Sequence, residues 1–158
     1  VCGFLVKEKS KQRQINRKAI DAFEVPVYFL NSLKEGVDFT QEDGTVIENS
    51  RLTLEPNPSL SYAYCSDTVY YPNLVESITG VDLLYHEATF TKDLDKLAKR
   101  TQHSTAEQAA LIAKQASVKQ LLIGHYSARY TNLNVLLDEA KEVFENTILA
   151  EDGLKITL

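Results

Sequence analysis

Leu121-Leu122-Ile123-Gly124-His125-Tyr126-Ser127-Ala128-Arg129-Tyr130 decides the reading of this chain, because an apolar run ends in glycine and hands over at once to His, Ser and Arg. A short apolar run bounded in this way reads as a buried strand. The polar residues beyond it fall where an α/β sheet builds its ligand crevice, past the carboxyl ends of the strands. Two further segments repeat the design: Leu60 to Cys65 runs into Ser66-Asp67-Thr68, and Val81 to Tyr85 runs into His86-Glu87-Ala88-Thr89. A fourth cluster, His103-Ser104-Thr105, stands at the head of a predicted helix. Alone, an Asp in Ser-Asp-Thr reads as a cap or turn, and Gly-His reads as a satisfied loop histidine. All three histidines at strand ends or before a helix favour a single site.

The 158 residues, 44% hydrophobic and 25% charged, suffice to bury a core, and the length fits one domain. No run approaches the roughly 18 apolar residues of a membrane helix, and no signal-like start is visible. Cys2 and Cys65 lie far apart in apolar strand contexts, so they are expected to be free buried thiols in a reducing cytosol. A net charge of −5 argues against broad, sequence-independent binding to nucleic acid. Lys7, Lys9, Lys11, Arg13, Arg17 and Lys18 nevertheless crowd the first eighteen residues, interrupted by Glu8. They form either a solvated connection or a phosphate-touching patch.

Three zones follow. Residues 1–9 carry a core strand, Cys2-Gly3-Phe4-Leu5-Val6, expected to pair with something upstream. Residues 10–55 hold two short helical patterns, Ile15 to Phe23 and Val27 to Leu33, then a hairpin signalled by Asp43-Gly44 between Val37-Asp38-Phe39-Thr40 and Thr45-Val46-Ile47. Residues 56–158 alternate strands and helices, the α/β signature. Strands are expected at Ser59 to Cys65, Val81 to Tyr85 and Lys119 to Ile123. Helices are expected at Pro72 to Ile78, Lys92 to Arg100, behind a Ser104-Glu107 capping box, and at Asn132 to Phe144. A closing hairpin is expected to join Thr147 to Ala150 with Leu154 to Leu158 around Glu151-Asp152-Gly153.

Tyr64-Cys65-Ser66-Asp67-Thr68, Leu84-Tyr85-His86-Glu87-Ala88-Thr89-Phe90, His103-Ser104-Thr105-Ala106 and Gly124 to Tyr130, in that order, resemble the ribonuclease Z family. These are tRNA 3′-processing endoribonucleases of the metallo-β-lactamase fold. The resemblance implies an α/β chain forming the C-terminal half of an αβ/βα sandwich, with 10–55 as an inserted arm-like exosite that grips tRNA. The arm's usual Gly-Pro-Leu core is replaced by Glu24-Val25-Pro26-Val27-Tyr28-Phe29-Leu30, which predicts an arm shortened or packed differently. The family's His-x-His-x-Asp-His motif is not in this sequence. A fragment of a larger enzyme is therefore expected, with little catalysis or zinc binding of its own. Its implied partners are precursor tRNA, the N-terminal half of the same protein and a second copy in a homodimer, in the cytoplasm and without a membrane.

The same resemblance makes Asp67 and His125 metal ligands for two zinc ions. Asp67 has two acceptor oxygens with which to bridge cations, and His125 offers one ring nitrogen while the other needs an orienting partner. Glu87 and His103 become a catalytic pair, since the sugar oxygen released on phosphodiester hydrolysis needs a proton, and an imidazole held by a carboxylate can supply it. Ser127, Arg129 and Tyr130 become substrate contacts, Arg129 through bidentate phosphate binding. His86 should face the opposite side of its strand and is structural, and Tyr70 and Tyr71 suit core packing more than base stacking. Two other readings stay open: a different phosphodiesterase or nuclease of the superfamily, and a non-catalytic dimerisation or RNA-docking module.

Overall fold

The computed structural model describes residues 3–158, so Cys2 lies outside it. The elements run β1 (Phe4–Lys7), β2 (Gln14–Ile15), α1 (Arg17–Ala22), α2 (Leu30–Lys34), β3 (Phe39–Thr40), β4 (Val46–Ile47), α3 (Asn49–Leu52) and β5 (Thr53–Leu54). They continue with β6 (Ser61–Cys65), α4 (Leu74–Ser77), β7 (Leu83–Glu87), α5 (Asp95–Thr101), α6 (Ala106–Gln115), β8 (Gln120–Gly124), α7 (Asn134–Val143) and β9 (Thr147–Leu149). Two units separate: Lys9–Ser59, and a larger one in which the residues through Glu8 join Leu60–Leu158.

In the larger unit one sheet runs β1-β6-β7-β8-β9. From β6 to β9 every pairing is parallel, and each crossover carries helix: α4, then α5 with α6, then α7. The first strand was expected to pair with a segment before it. It runs antiparallel to β6 instead, Phe4 opposite Tyr64 and Lys7 opposite Ser61. Glu8 N donates to Leu60 O at 2.8 Å and Glu8 Oε2 accepts from Leu60 N at 2.8 Å, which locks that pairing at its end. The expected closing hairpin is also absent, since residues 154–158 form no strand. Thr147 to Leu149 finds its hydrogen-bond partners in parallel on β8, and Ala150 N extends the ladder to Ile123 O at 2.8 Å.

Strand alternation sorts the side chains onto two faces. Ala63, Cys65, Leu84, Leu121 and Ile123 pack beneath α6 and α7 in the main core, with Leu136 and Ala140 above them. Each large aliphatic side chain so buried contributes roughly 1.5–3 kcal/mol. Burial pushes the Cys65 thiol up to about 11, which suits packing rather than chemistry. The inner stripe of α6 is Ala106, Ala109, Ala110 and Ala113 around Ile112, all fully buried, and such small side chains let it pack closely against α7 and over the sheet. On the other face Tyr64 stacks on Tyr85 with ring centroids 4.7 Å apart. Toward β1 this face is open, Phe4 and Val6 being 61% and 59% exposed.

The capping box of α6 is one residue later than the Ser104-Glu107 pair read from the sequence. Thr105 accepts from Gln108 N at 3.2 Å, and Gln108 Oε1 accepts from Thr105 N at 3.0 Å. Ser104 is thereby free for the site. Glu139 of α7 reaches across to the start of the same helix, accepting from Glu107 N at 2.9 Å and from Lys92 N at 2.8 Å.

In the smaller unit β2 pairs with β5, and β3 with β4 in the hairpin that Asp43-Gly44 predicts. Ile20, Val25, Leu33, Phe39, Ile47 and Leu52 form its own core. The buried amide of Asn49 ties it together, donating to Leu33 O and Val37 O at 2.8 and 2.9 Å. The first helical pattern is shorter than expected, because Gln14 and Ile15 are taken by the sheet.

Two stability tests follow from the larger unit. A Cβ at Gly124 would lie 2.7 Å from Cε2 and 2.8 Å from Cζ of Tyr85. Gly124→Ala should therefore lower the unfolding free energy by about 1–3 kcal/mol in a denaturant titration, and Tyr85→Leu in the same chain should restore part of it. Burial, outweighing the N–H bonds from Lys92 and Glu107, raises the Glu139 carboxyl above its ordinary value. A folded-state value above the unfolded one means stability present below the unfolded value and lost as pH rises through the folded one. Wild type should thus lose stability relative to Glu139→Gln as pH climbs from 4.5 upward, as read by unfolding at several pH values.

Candidate metal and catalytic centre

Three parallel strands deliver the site at their carboxyl ends. Asp67 follows β6, Glu87 closes β7 and His125 follows β8, while His103 arrives from the turn between α5 and α6. Asp67 and His125 both sit in the left-handed backbone region, at φ 49° and 58°. Asp and His enter that region more readily than most residues, yet it still costs of order 1 kcal/mol each. The extended path of the chain ends at both positions, and the two side chains meet there.

Glu87 is fully buried, and everything around its carboxylate is a donor. Oε1 accepts from Thr68 N at 2.5 Å and faces His103 Nδ1 at 3.0 Å. Oε2 accepts from Thr89 Oγ1 at 2.6 Å and from Ser104 N at 3.1 Å. Two of these donors are backbone N–H groups, and Ser104 Oγ further donates to Thr68 O at 2.6 Å. One carboxylate therefore fixes the loops after β6 and β7 and the approach to α6 together. With Nδ1 of His103 given to Glu87, its Nε2 is the ring atom left for chemistry.

Thr89 joins this network to the second histidine. Its hydroxyl lies 2.9 Å from His125 Nδ1 and 2.9 Å from His125 O. It owns one proton, and the shortest, charged partner is Glu87 Oε2, so the oxygen accepts from His125 Nδ1–H. The Nε2 of His125 is then a bare lone pair in the neutral ring, and it faces Asp67 Oδ1 at 2.8 Å. Two acceptors at that distance call for a cation or a second ring proton between them, so the donor set fits a metal ion. Asp67, Glu87, His103 and His125 each present a ligand atom within 4.8 Å of the others. The hydrogen bonds already occupying Glu87 leave Asp67 and His125, with Nε2 of His103, as the free donors of that group. The rings of His103 and His125 stack with centroids 5.1 Å apart.

The remaining sequence-predicted residues flank this centre. Ser127 N donates to Thr89 O at 3.1 Å, and Ser127 Oγ accepts from Arg129 Nε at 3.0 Å. The exposed Arg129 guanidinium lies 5.0 Å above the Phe90 ring. Tyr130 turns its hydroxyl to Thr91, accepting from Thr91 N at 2.9 Å, so it braces the loop after β7. His86 points into the core, its Nδ1 2.7 Å from Glu87 O, as a structural histidine should. Tyr70 packs against the main core, and Tyr71 is exposed. Sequence reasoning missed the parts played by Thr68, Thr89 and Ser104. The signal was present, since each adjoins a singled-out residue within its motif.

The Thr89 arrangement has a measurable consequence. Losing a hydrogen bond that orients a ligating histidine costs about 10–100-fold in metal affinity. Thr89→Val should weaken metal binding at this centre by that amount in chelator competition, whereas Thr89→Ser should stay near wild type.

No protein-family model matches the chain. Curated relatives do: the chain is 52% identical over 157 residues to Ribonuclease Z of Phocaeicola vulgatus, covering 99% of this chain and 51% of that protein. Ribonuclease Z of Porphyromonas gingivalis W83 is 47% identical over 156 residues, with 99% and 51% covered. The chain thus spans about half the length of the curated relatives it matches. Among solved structures, the metallo-β-lactamase fold protein YhfI from Bacillus subtilis superposes with a TM-score of 0.56 at 28% identity, over 60% of this chain and 39% of that one.

Proposed function

From the premise that the chain belongs to the ribonuclease Z family, we propose that the full-length protein is a zinc-dependent endoribonuclease that removes the 3′ trailer of precursor tRNA. The observation that carries this reading is the pairing of His103 Nδ1 with buried Glu87, which leaves Nε2 beside the Asp67–His125 pair. Asp67 and His125 are the residues of this chain that would hold zinc. When bound, the metal supplies neutralising charge and a nucleophile competent at neutral pH. The remaining ligands are expected from a His-x-His-x-Asp-His motif in the other half of the protein.

The work of this chain's own residues is proton transfer and positioning. Cleavage breaks the bond from phosphorus to the 3′-oxygen of the mature tRNA, and that oxygen leaves as an alkoxide unless protonated. His103 donates a proton from Nε2 to it, and Glu87 holds the ring in place through Nδ1. Ser127 and Arg129 stand on the loop after β8, where the guanidinium can meet a phosphate, and Tyr130 keeps that loop in place. In the smaller unit a groove of about 700 Å³ lined by Arg13, Arg17 and Lys34 is a second place for tRNA phosphates. The open face bearing Phe4 and Val6 suits the other half of the protein or a second copy in a homodimer. Among the described residues no helix is long and apolar enough to cross a membrane; the cytoplasmic location proposed for the enzyme rests on the family reading.

The test uses the full-length protein on precursor tRNA. His103→Ala and Glu87→Ala should each lower kcat by about 10²–10⁴-fold, the range for a general acid. The double variant should be little worse than the poorer single, because the two act as one unit. Zinc content should hold in His103→Ala, while Asp67→Ala loses both metal and turnover. Near-normal turnover in His103→Ala, or loss of its zinc together with activity, would return His103 to a structural or ligand role. Zinc-dependent cleavage of other phosphodiesters with precursor tRNA left intact would favour another nuclease or phosphodiesterase of the superfamily.

A further inference from the structure

A cavity of about 270 Å³ opens beside His103, lined by Val69, Tyr70, Asp95, Lys99 and Gln108. We propose that it is a nucleobase subsite, taking the base of the nucleotide whose 3′-oxygen leaves; the assignment rests on the endoribonuclease reading above. Its volume falls just below the roughly 300 Å³ at which pockets for drug-sized ligands begin. One planar ring system fits it, and an extended chain does not.

The polar wall is specific. Gln108 Oε1 accepts from Thr105 N at 3.0 Å and its Nε2 donates to Asp95 Oδ1 at 2.7 Å, so both neighbours fix the amide the same way round. Among the described residues, the second Nε2 hydrogen of Gln108 and Oδ2 of Asp95 have no partner. A donor and an acceptor are thus left side by side. The Watson–Crick edge of each nucleobase carries an adjacent donor and acceptor, and single-stranded RNA is read by hydrogen bonds to that edge and by stacking on aromatic rings. Tyr70 supplies the aromatic wall. The Asp95 carboxylate repels a phosphate from the same space, and Lys99 at the rim can receive the phosphate attached to the bound nucleotide. His103 belongs both to this cavity and to the proposed transfer of a proton to the 3′-oxygen. The base on that same ribose is therefore the one within reach.

The experiment compares three precursor tRNAs with the full-length protein: unmodified, abasic at the nucleotide 5′ of the cut, and abasic at the nucleotide 3′ of it. Stacking a base on an aromatic side chain contributes on the order of 1–3 kcal/mol, so the 5′-abasic substrate should lose about tenfold or more in kcat/KM. The 3′-abasic substrate should lose much less. In Asp95→Ala the 5′-abasic penalty should shrink severalfold. Equal cleavage of the unmodified and 5′-abasic substrates, a larger loss on the 3′ side, or an undiminished penalty in Asp95→Ala overturns the subsite and leaves the nuclease reading intact. No cleavage of the unmodified substrate overturns both.

Discussion

A carboxylate with no access to water holds this structure together where it matters. An unpaired buried charge costs several kcal/mol, so the Glu87 side chain is tolerable only with its acceptor sites filled. The chain fills them from separate stretches: Thr68 after β6, Thr89 after β7, and His103 with Ser104 before α6. The approach to α6 is also set locally, by the left-handed cap at Gln102 and by His103 N donating to Ala98 O at 2.8 Å. The separate stretches meet because the carboxylate requires donors, and they bring with them the residues that can bind metal and move a proton.

Around that anchor the fold supplies rigidity and the loops supply strain. The parallel strands set the spacing of the site along one sheet edge, and their side chains face alternately into the helix-covered core and toward the tyrosine face. Left-handed backbone at Asp67 and His125 aims two side chains that a straight continuation of the strands would send elsewhere. Such strain persists only where surrounding structure overdetermines it. At His125 that surrounding includes Thr89, whose hydroxyl lies 2.9 Å from the ring nitrogen Nδ1 and is itself held by Glu87.

The sequence disclosed this site more fully than it disclosed the chain's ends. Short apolar runs breaking into Ser-Asp-Thr, His-Glu-Ala-Thr and Gly-His are local signals, and the clustering of Asp67, Glu87, His103 and His125 was legible because each stands at a strand or helix terminus. The Gly124 requirement was legible as punctuation, but its cause, the Tyr85 ring, depends on strand register. Pairings between distant segments were hidden. β1 chose β6, and β9 chose the parallel edge of β8 over a local return, because both outcomes turn on which edge has open N–H and C=O groups. The capping box was misplaced by one residue since Ser104 and Thr105 are equally good caps by type. The contacts of Ser104 with Glu87 and Thr68, and of the Glu107 N–H with Glu139, separate them.

The alanine-rich underside of α6 ties tolerance to substitution to the geometry of the centre. A helix is stiff along its axis, and this one begins directly after His103 and Ser104, so its height above the sheet sets where those residues stand. Larger side chains at the fully buried Ala109 or Ala113 would shift the whole cylinder rather than dimple it. The displacement would emerge at its amino end, about one to two turns from the insult. Positions that look like inert packing are in effect the shims under a lever, and sequence drift there is constrained by alignment of the reactive groups as much as by stability.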